Sequence, residues 1–147
     1  MSDPTLAAAQ RVRNVLRANA LFSWVSGTAV ALSSAWLGRQ LGDAPTIVVA
    51  GVGLGVVAFG VVVLAVSRSD VRSLWRGGRL IAAADVVWVV VSAVALVVGE
   101  LTTSGAVAVA AVAAGVGALA VGEIVTLRQL APFMDSPEGS SAQCASV

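Results

Sequence analysis

The chain has 147 residues, 58% of them hydrophobic and 12% charged, with a net charge of +1. A soluble domain carries about a quarter charged residues, and the apolar residues here fall in blocks that only lipid or a far larger protein interior would cover. The small net charge argues against a nucleic-acid partner, while a single cysteine, Cys144, and no histidine exclude an internal disulfide and remove the commonest ligand of haem, zinc and copper, so no cofactor is expected.

Asp3-Pro4 joins a capping residue to a proline suited to the first helical position, so a short helix is predicted within a cytoplasmic segment of residues 1–15. Arg11, Arg13 and Arg17 then precede an apolar run over residues 16–37. That run exceeds the roughly 7–15 apolar residues of a signal peptide and leads into a second span, so it reads as an uncleaved membrane helix. The second span covers residues 46–66, introduced by Asp43-Ala44-Pro45 and closed by Ser67-Arg68-Ser69-Asp70. The third, 79–99, follows a break at Gly77-Gly78, and the fourth, 105–127, stops before Arg128.

Each span is about 20 residues, enough at about 1.5 Å per residue to cross a hydrocarbon core of about 30 Å. Valine runs such as Val61-Val62-Val63 favour strand in water. An open strand in lipid leaves backbone groups unpaired, and four spans are too few to close a barrel, so helix is predicted. The expected fold is all-α, a four-helix transmembrane bundle over residues 16–130, followed by a disordered cytoplasmic tail over 131–147.

Arg11, Arg13, Arg17, Arg68, Arg72, Arg76, Arg79 and Arg128 fall on one side of these spans and Arg39 alone on the other. The positive-inside rule then puts both termini in the cytoplasm. The all-arginine basic set and the excess of Ala, Val and Gly suggest a GC-rich bacterial genome, hence the bacterial inner membrane. Trp36 and Trp75 fall where interfacial aromatic anchors belong.

Shifted by 64 residues, Trp24-Val25 and Ala29-Val30-Ala31-Leu32 fall on Trp88-Val89 and Ala93-Val94-Ala95-Leu96, and Ala50-Gly51-Val52-Gly53 falls on Ala114-Gly115-Val116-Gly117. One ungapped frame with a tryptophan and two glycines points to a duplicated two-helix unit, its halves related by rotation about the membrane normal. Gly51 and Gly55 form a GxxxG pair, and Ala111 with Gly115 and Ala113 with Gly117 form small-xxx-small pairs. Such faces let helix backbones approach closely, within the bundle or in a homo-oligomer or with a membrane-protein partner.

Polar residues inside apolar spans carry what functional signal there is. Asn19, Ser23, Ser26, Val30 and Ser33 share one face of the first span; Asp85 and Ser92 lie in the third and Glu123 in the fourth. Counting from Arg79 and Arg128 puts the two acids about 7–9 Å into the cytoplasmic half, near the level of Asn19. Neither acid shares a helix face with its own arginine, so Arg17 is the expected cationic partner. Two readings of Arg17, Asn19, Asp85 and Glu123 stand open: a lock that holds the bundle together, through Arg17 or through neutral acids hydrogen-bonded to Asn19, and a proton- or ligand-linked site.

The segments Leu16-Arg-Ala-Asn-Ala-Leu-Phe-Ser-Trp-Val-Ser-Gly27 and Ala84-Asp-Val-Val-Trp-Val89 resemble those of a family of small, uncharacterised bacterial four-helix membrane proteins, a resemblance that implies the fold and no particular activity. In layout the chain is also similar to small multidrug-resistance transporters, but departs from them in having no acid in its first span. Without histidine there is no Ser-His or Cys-His arrangement, and no enzyme is expected. The leading expectation is a non-enzymatic accessory or structural component of the membrane; the alternative is a small transporter or proton-linked carrier using Asp85 and Glu123.

Overall fold

The computed structural model describes residues 4–134. Within them the chain forms α1 (Pro4–Leu32), α2 (Ser34–Gln40), α3 (Thr46–Ser67), α4 (Val71–Val98) and α5 (Thr103–Met134), with no strand. The four long helices α1, α3, α4 and α5 are long and apolar enough to cross a membrane, as a multi-pass membrane protein requires.

The boundaries differ from expectation in four places, each for a local reason. The first span does not run unbroken to residue 37. Ser33 donates its hydroxyl to the Ala29 carbonyl at 2.5 Å, a back-bond that bends helices. The chain restarts there as α2, and the left-handed pair Gly42 and Asp43 turns it into α3. The N-terminal segment is not a separate short helix. Ala8, Ala9, Val12 and Leu16 recur on one buried face, so α1 is continuous from Pro4.

Gly77-Gly78 does not break the chain, because α4 starts earlier, at Val71. Asp70 caps it, accepting from the backbone N–H of Arg72 and of Ser73, both at 3.1 Å. The two glycines instead admit neighbours: a Cβ on Gly77 would meet Val66 and one on Gly78 would meet Leu127. Finally, α5 does not stop at Arg128 or at Pro132 but reaches Met134, its last turns held by buried Leu127 and Leu130. The rest of the expected tail, 135–147, including Cys144, lies outside the described residues.

The cap makes a prediction. Hydrogen bonds from Ser73, by side chain and then backbone, and from the Arg72 backbone hold the Asp70 carboxyl below the usual carboxylate range. Because the folded value is the lower one, this stabilisation is present above about pH 4 and is lost as pH falls through the folded value. Asp70→Ala should therefore lower Tm in detergent at pH 7, and the gap from wild type should close as thermal melts are taken toward pH 2.

The long helices form a ring in the order α1, α3, α4, α5, with α1 and α4 meeting across the diagonal and α3 and α5 not touching. Arg11 donates to Gln129 and Arg13 to the Ser69 carbonyl, both at 3.1 Å, which gathers the start of α1, the end of α5 and the α3–α4 turn at one end. At the opposite end Thr102 and Ser104 donate to the Gln40 side chain, each at 2.6 Å. Eight of the nine arginines belong to the first end and Arg39 to the second.

The apolar core also sits toward the arginine end, where Val12, Leu16, Val63, Leu74, Ile81, Leu127 and Leu130 are buried together. Farther along, the helices expose valines and leucines such as Leu54, Val90, Val97 and Val107. This is the surface a lipid environment covers. Helices α1 and α3 approach closely, so that a Cβ on Gly53 would fall 2.7 Å from the Gly27 carbonyl and 2.6 Å from the Ala31 nitrogen.

The glycines predicted for packing are used differently. Gly51 and Gly55 have nothing within 4 Å of a Cβ position, because the register that puts Gly53 against α1 turns both of them away. Gly115 receives the Phe22 ring of α1, and a Cβ on Gly117 would make only an ordinary contact, 3.7 Å, with Val89.

Candidate functional site

Where α1 crosses α4 and α5, three of the expected residues converge. The Asn19 amide donates from Nδ2 to Asp85 Oδ2 at 2.5 Å and to Glu123 Oε1 at 2.7 Å. One amide nitrogen has two hydrogens, and here each serves a different carboxyl on a different helix. One turn farther along α1, Ser23 donates to Asn19 Oδ1 at 3.3 Å, which holds the amide with its nitrogen toward the acids. Asn19 and Glu123 are each 1% exposed, and Asp85 and Ser23 each 4%.

Arg17 is not part of this cluster. It is exposed on α1, because two residues rotate a helix by about 200° and carry Arg17 to the face opposite Asn19. Arg79 lies over the Trp75 ring, 4.8 Å from its centre, and Arg128 is exposed. Among the described residues no cation pairs with either acid, and Glu123 Oε2 has no hydrogen-bond partner.

On the side of the cluster away from the arginines lies a cavity of about 380 Å³. Asp85 and Ser23 form its polar edge; Phe22, Phe59, Trp88, Val30, Val52 and Val116 supply apolar wall. Ser26 also lines it, but spends its hydroxyl on the Phe22 carbonyl at 2.7 Å. Trp88 stands on this wall one turn from Asp85. Gly55 lines it too, so half of the GxxxG pair serves the space between helices instead of closing it. Phe22 and Phe59 carry no sequence signal for this role, since a lone aromatic in an apolar span looks like any other lipid-facing or packing residue.

The chemistry open to this arrangement follows from charge. An ionised carboxylate without a compensating partner costs many kcal/mol in an apolar surround, and two carboxyls sharing one neutral amide have no counter-charge. The site therefore favours taking up positive charge, as a proton or a cation. Two carboxyls, the Asn19 amide and the Ser23 hydroxyl are all oxygen-bearing groups suited to hard cations, yet no group of three or more His, Cys, Asp or Glu gathers among the described residues. No family model, curated protein or solved structure matches the chain.

Proposed function

We propose that this protein is a non-enzymatic, proton-linked membrane carrier whose Asp85–Glu123 pair exchanges a proton for the cationic or hydrogen-donating group of a small, mostly apolar solute held in the adjoining cavity. The observation that carries this reading is the position of Asp85. Its carboxyl belongs both to a buried acid pair without a cation and to the wall of a 380 Å³ cavity. A solute cation and a proton would compete for the same carboxyl, and competition for one charge is the elementary requirement of exchange. Trp88, Phe22 and Phe59 suit such a solute, since aromatic faces attract organic cations.

The accessory or structural reading loses the Arg17 ion pair, since Arg17 is exposed, and rests on the hydrogen bonds from Asn19 to Asp85 and Glu123, which account for cohesion of the bundle but not for the cavity beside Asp85. As part of the proposal, the arginine end faces the cytoplasm of a bacterial inner membrane, a placement supported by the eight-to-one arginine distribution. Tandem duplication of a two-helix unit is likewise proposed. The extensive pairing of α1 with α3 and of α4 with α5 supports it, while the unlike surroundings of Gly53 and Gly117 mark divergence between the halves.

The test uses purified protein and benzyltrimethylammonium, an aromatic quaternary cation small enough for the cavity. Adding it in weakly buffered detergent should release protons, read with a pH dye, and reconstituted vesicles should take it up in response to a pH gradient. Asp85→Asn keeps size and an acceptor for Asn19, so it should fold with an unchanged helical spectrum and abolish both signals. Equal proton release from wild type and Asp85→Asn would overturn the carrier reading.

A further inference from the structure

We propose that the groove between α4 and α5 at the arginine end is a binding site for one anionic phospholipid, with its phosphate between Arg79 and Arg128. This inference is independent of the carrier reading, because the groove lies on the outer face of the α4–α5 pair and shares no lining residue with the cavity beside Asp85. The groove encloses about 550 Å³. Its mouth carries the two guanidinium-bearing residues and Trp75, and its walls run on through Ala83, Val86 and Val87.

Three features select the occupant. The first is charge: no acidic residue lines the groove, and neither Arg79 nor Arg128 pairs with a carboxylate among the described residues. Arg11 and Arg13, by contrast, are engaged with Gln129 and the Ser69 carbonyl. The second is preorganisation. Arg79 lies over the Trp75 ring, 4.8 Å from its centre, which steadies a guanidinium that can offer paired donors to phosphate oxygens. The third is shape. From Arg79 to Val87 the helix rises about 12 Å, and over that rise the small side chains of Ala82 and Ala83 leave a furrow floored by aliphatic carbon.

A free phosphate would use only the mouth and leave that furrow uncovered. A diacyl lipid uses both, with its headgroup at the level of the arginines and a chain along Ala83, Val86 and Val87. Basic pockets between membrane helices at the headgroup level recognise anionic lipids on this same physical basis.

The experiment is native mass spectrometry of the full chain released from mixed vesicles of phosphatidylglycerol and phosphatidylcholine. The expected result is one retained phosphatidylglycerol per chain. Arg79→Gln with Arg128→Gln should reduce its occupancy roughly tenfold or more. Arg72→Gln with Arg76→Gln removes the same charge from the same end outside the groove and should leave occupancy within about twofold. Both pairs are exposed, and an unchanged helical spectrum verifies the fold. The proposal is overturned if phosphatidylcholine is retained equally, if the two double variants lose lipid equally, or if excess inorganic phosphate displaces the lipid, which would reduce the site to a general anion contact.

Discussion

Gly53→Val is expected to destabilise the protein by about 3 kcal/mol or more, while Gly51→Ala and Gly55→Ala raise stability by roughly 0.5–1 kcal/mol each. At Gly53 a new Cβ would lie 2.6 Å from the Ala31 nitrogen and 2.7 Å from the Gly27 carbonyl oxygen. Both are backbone atoms, so no rotamer change relieves the clash and α1 must move away from α3. Overpacking of an ordinary core costs about 1–3 kcal/mol, and a helix pair forced apart lies at or beyond the top of that range. Gly51 and Gly55 have nothing within 4 Å of a Cβ, so alanine there only reduces the conformational freedom of the unfolded chain, by about the amount that separates glycine from alanine in a helix. Unfolding in mixed micelles by increasing SDS fraction measures all three. Gly53→Val as stable as Gly51→Ala would refute the α1–α3 register.

The second large effect belongs to the polar cluster. Asn19→Leu removes the donor shared by Asp85 and Glu123. Each of the two hydrogen bonds is worth about 0.5–1.5 kcal/mol net, and each abandoned buried partner adds about 1–3 kcal/mol of desolvation cost, so a loss of about 3–5 kcal/mol is expected. Replacing the whole cluster, Asn19→Leu with Asp85→Leu and Glu123→Met, should recover most of that loss or exceed wild type, as apolar replacement of buried polar sets often does. The same triple variant should neither release protons to benzyltrimethylammonium nor take it up. Stability and function would then separate: a folded bundle without the acids and without exchange fits a site kept for its chemistry. A triple variant that stays as unstable as Asn19→Leu would indicate instead that these side chains are required for packing.

Much of this architecture follows from the order of residues alone. Blocks of about 20 apolar residues admit only helix in lipid, since no other local structure pairs its own backbone there. The distribution of eight arginines against Arg39 sets two ends apart, and the depth count from Arg79 and Arg128 brings Asp85, Glu123 and Asn19 to one level. Depth along a helix is legible because rise per residue is nearly constant.

Rotation about the helix axis and the identity of the facing neighbour are not legible in that way. In a chain whose lipid-facing and partner-facing residues are equally apolar, hydrophobic periodicity no longer points inward. Hence depth alone places Arg17 beside the acids, whereas it lies on the opposite face of α1. For the same reason the GxxxG spacing of Gly51 and Gly55 suggests a packing role that Gly27 and Gly53 perform. Residue order sets the helices, their depth and the short list of polar groups available to meet. That one asparagine amide joins two acids without a cation at the edge of a cavity is a product of packing, because it depends on the relative rotation of three helices whose apolar surfaces are nearly alike in sequence.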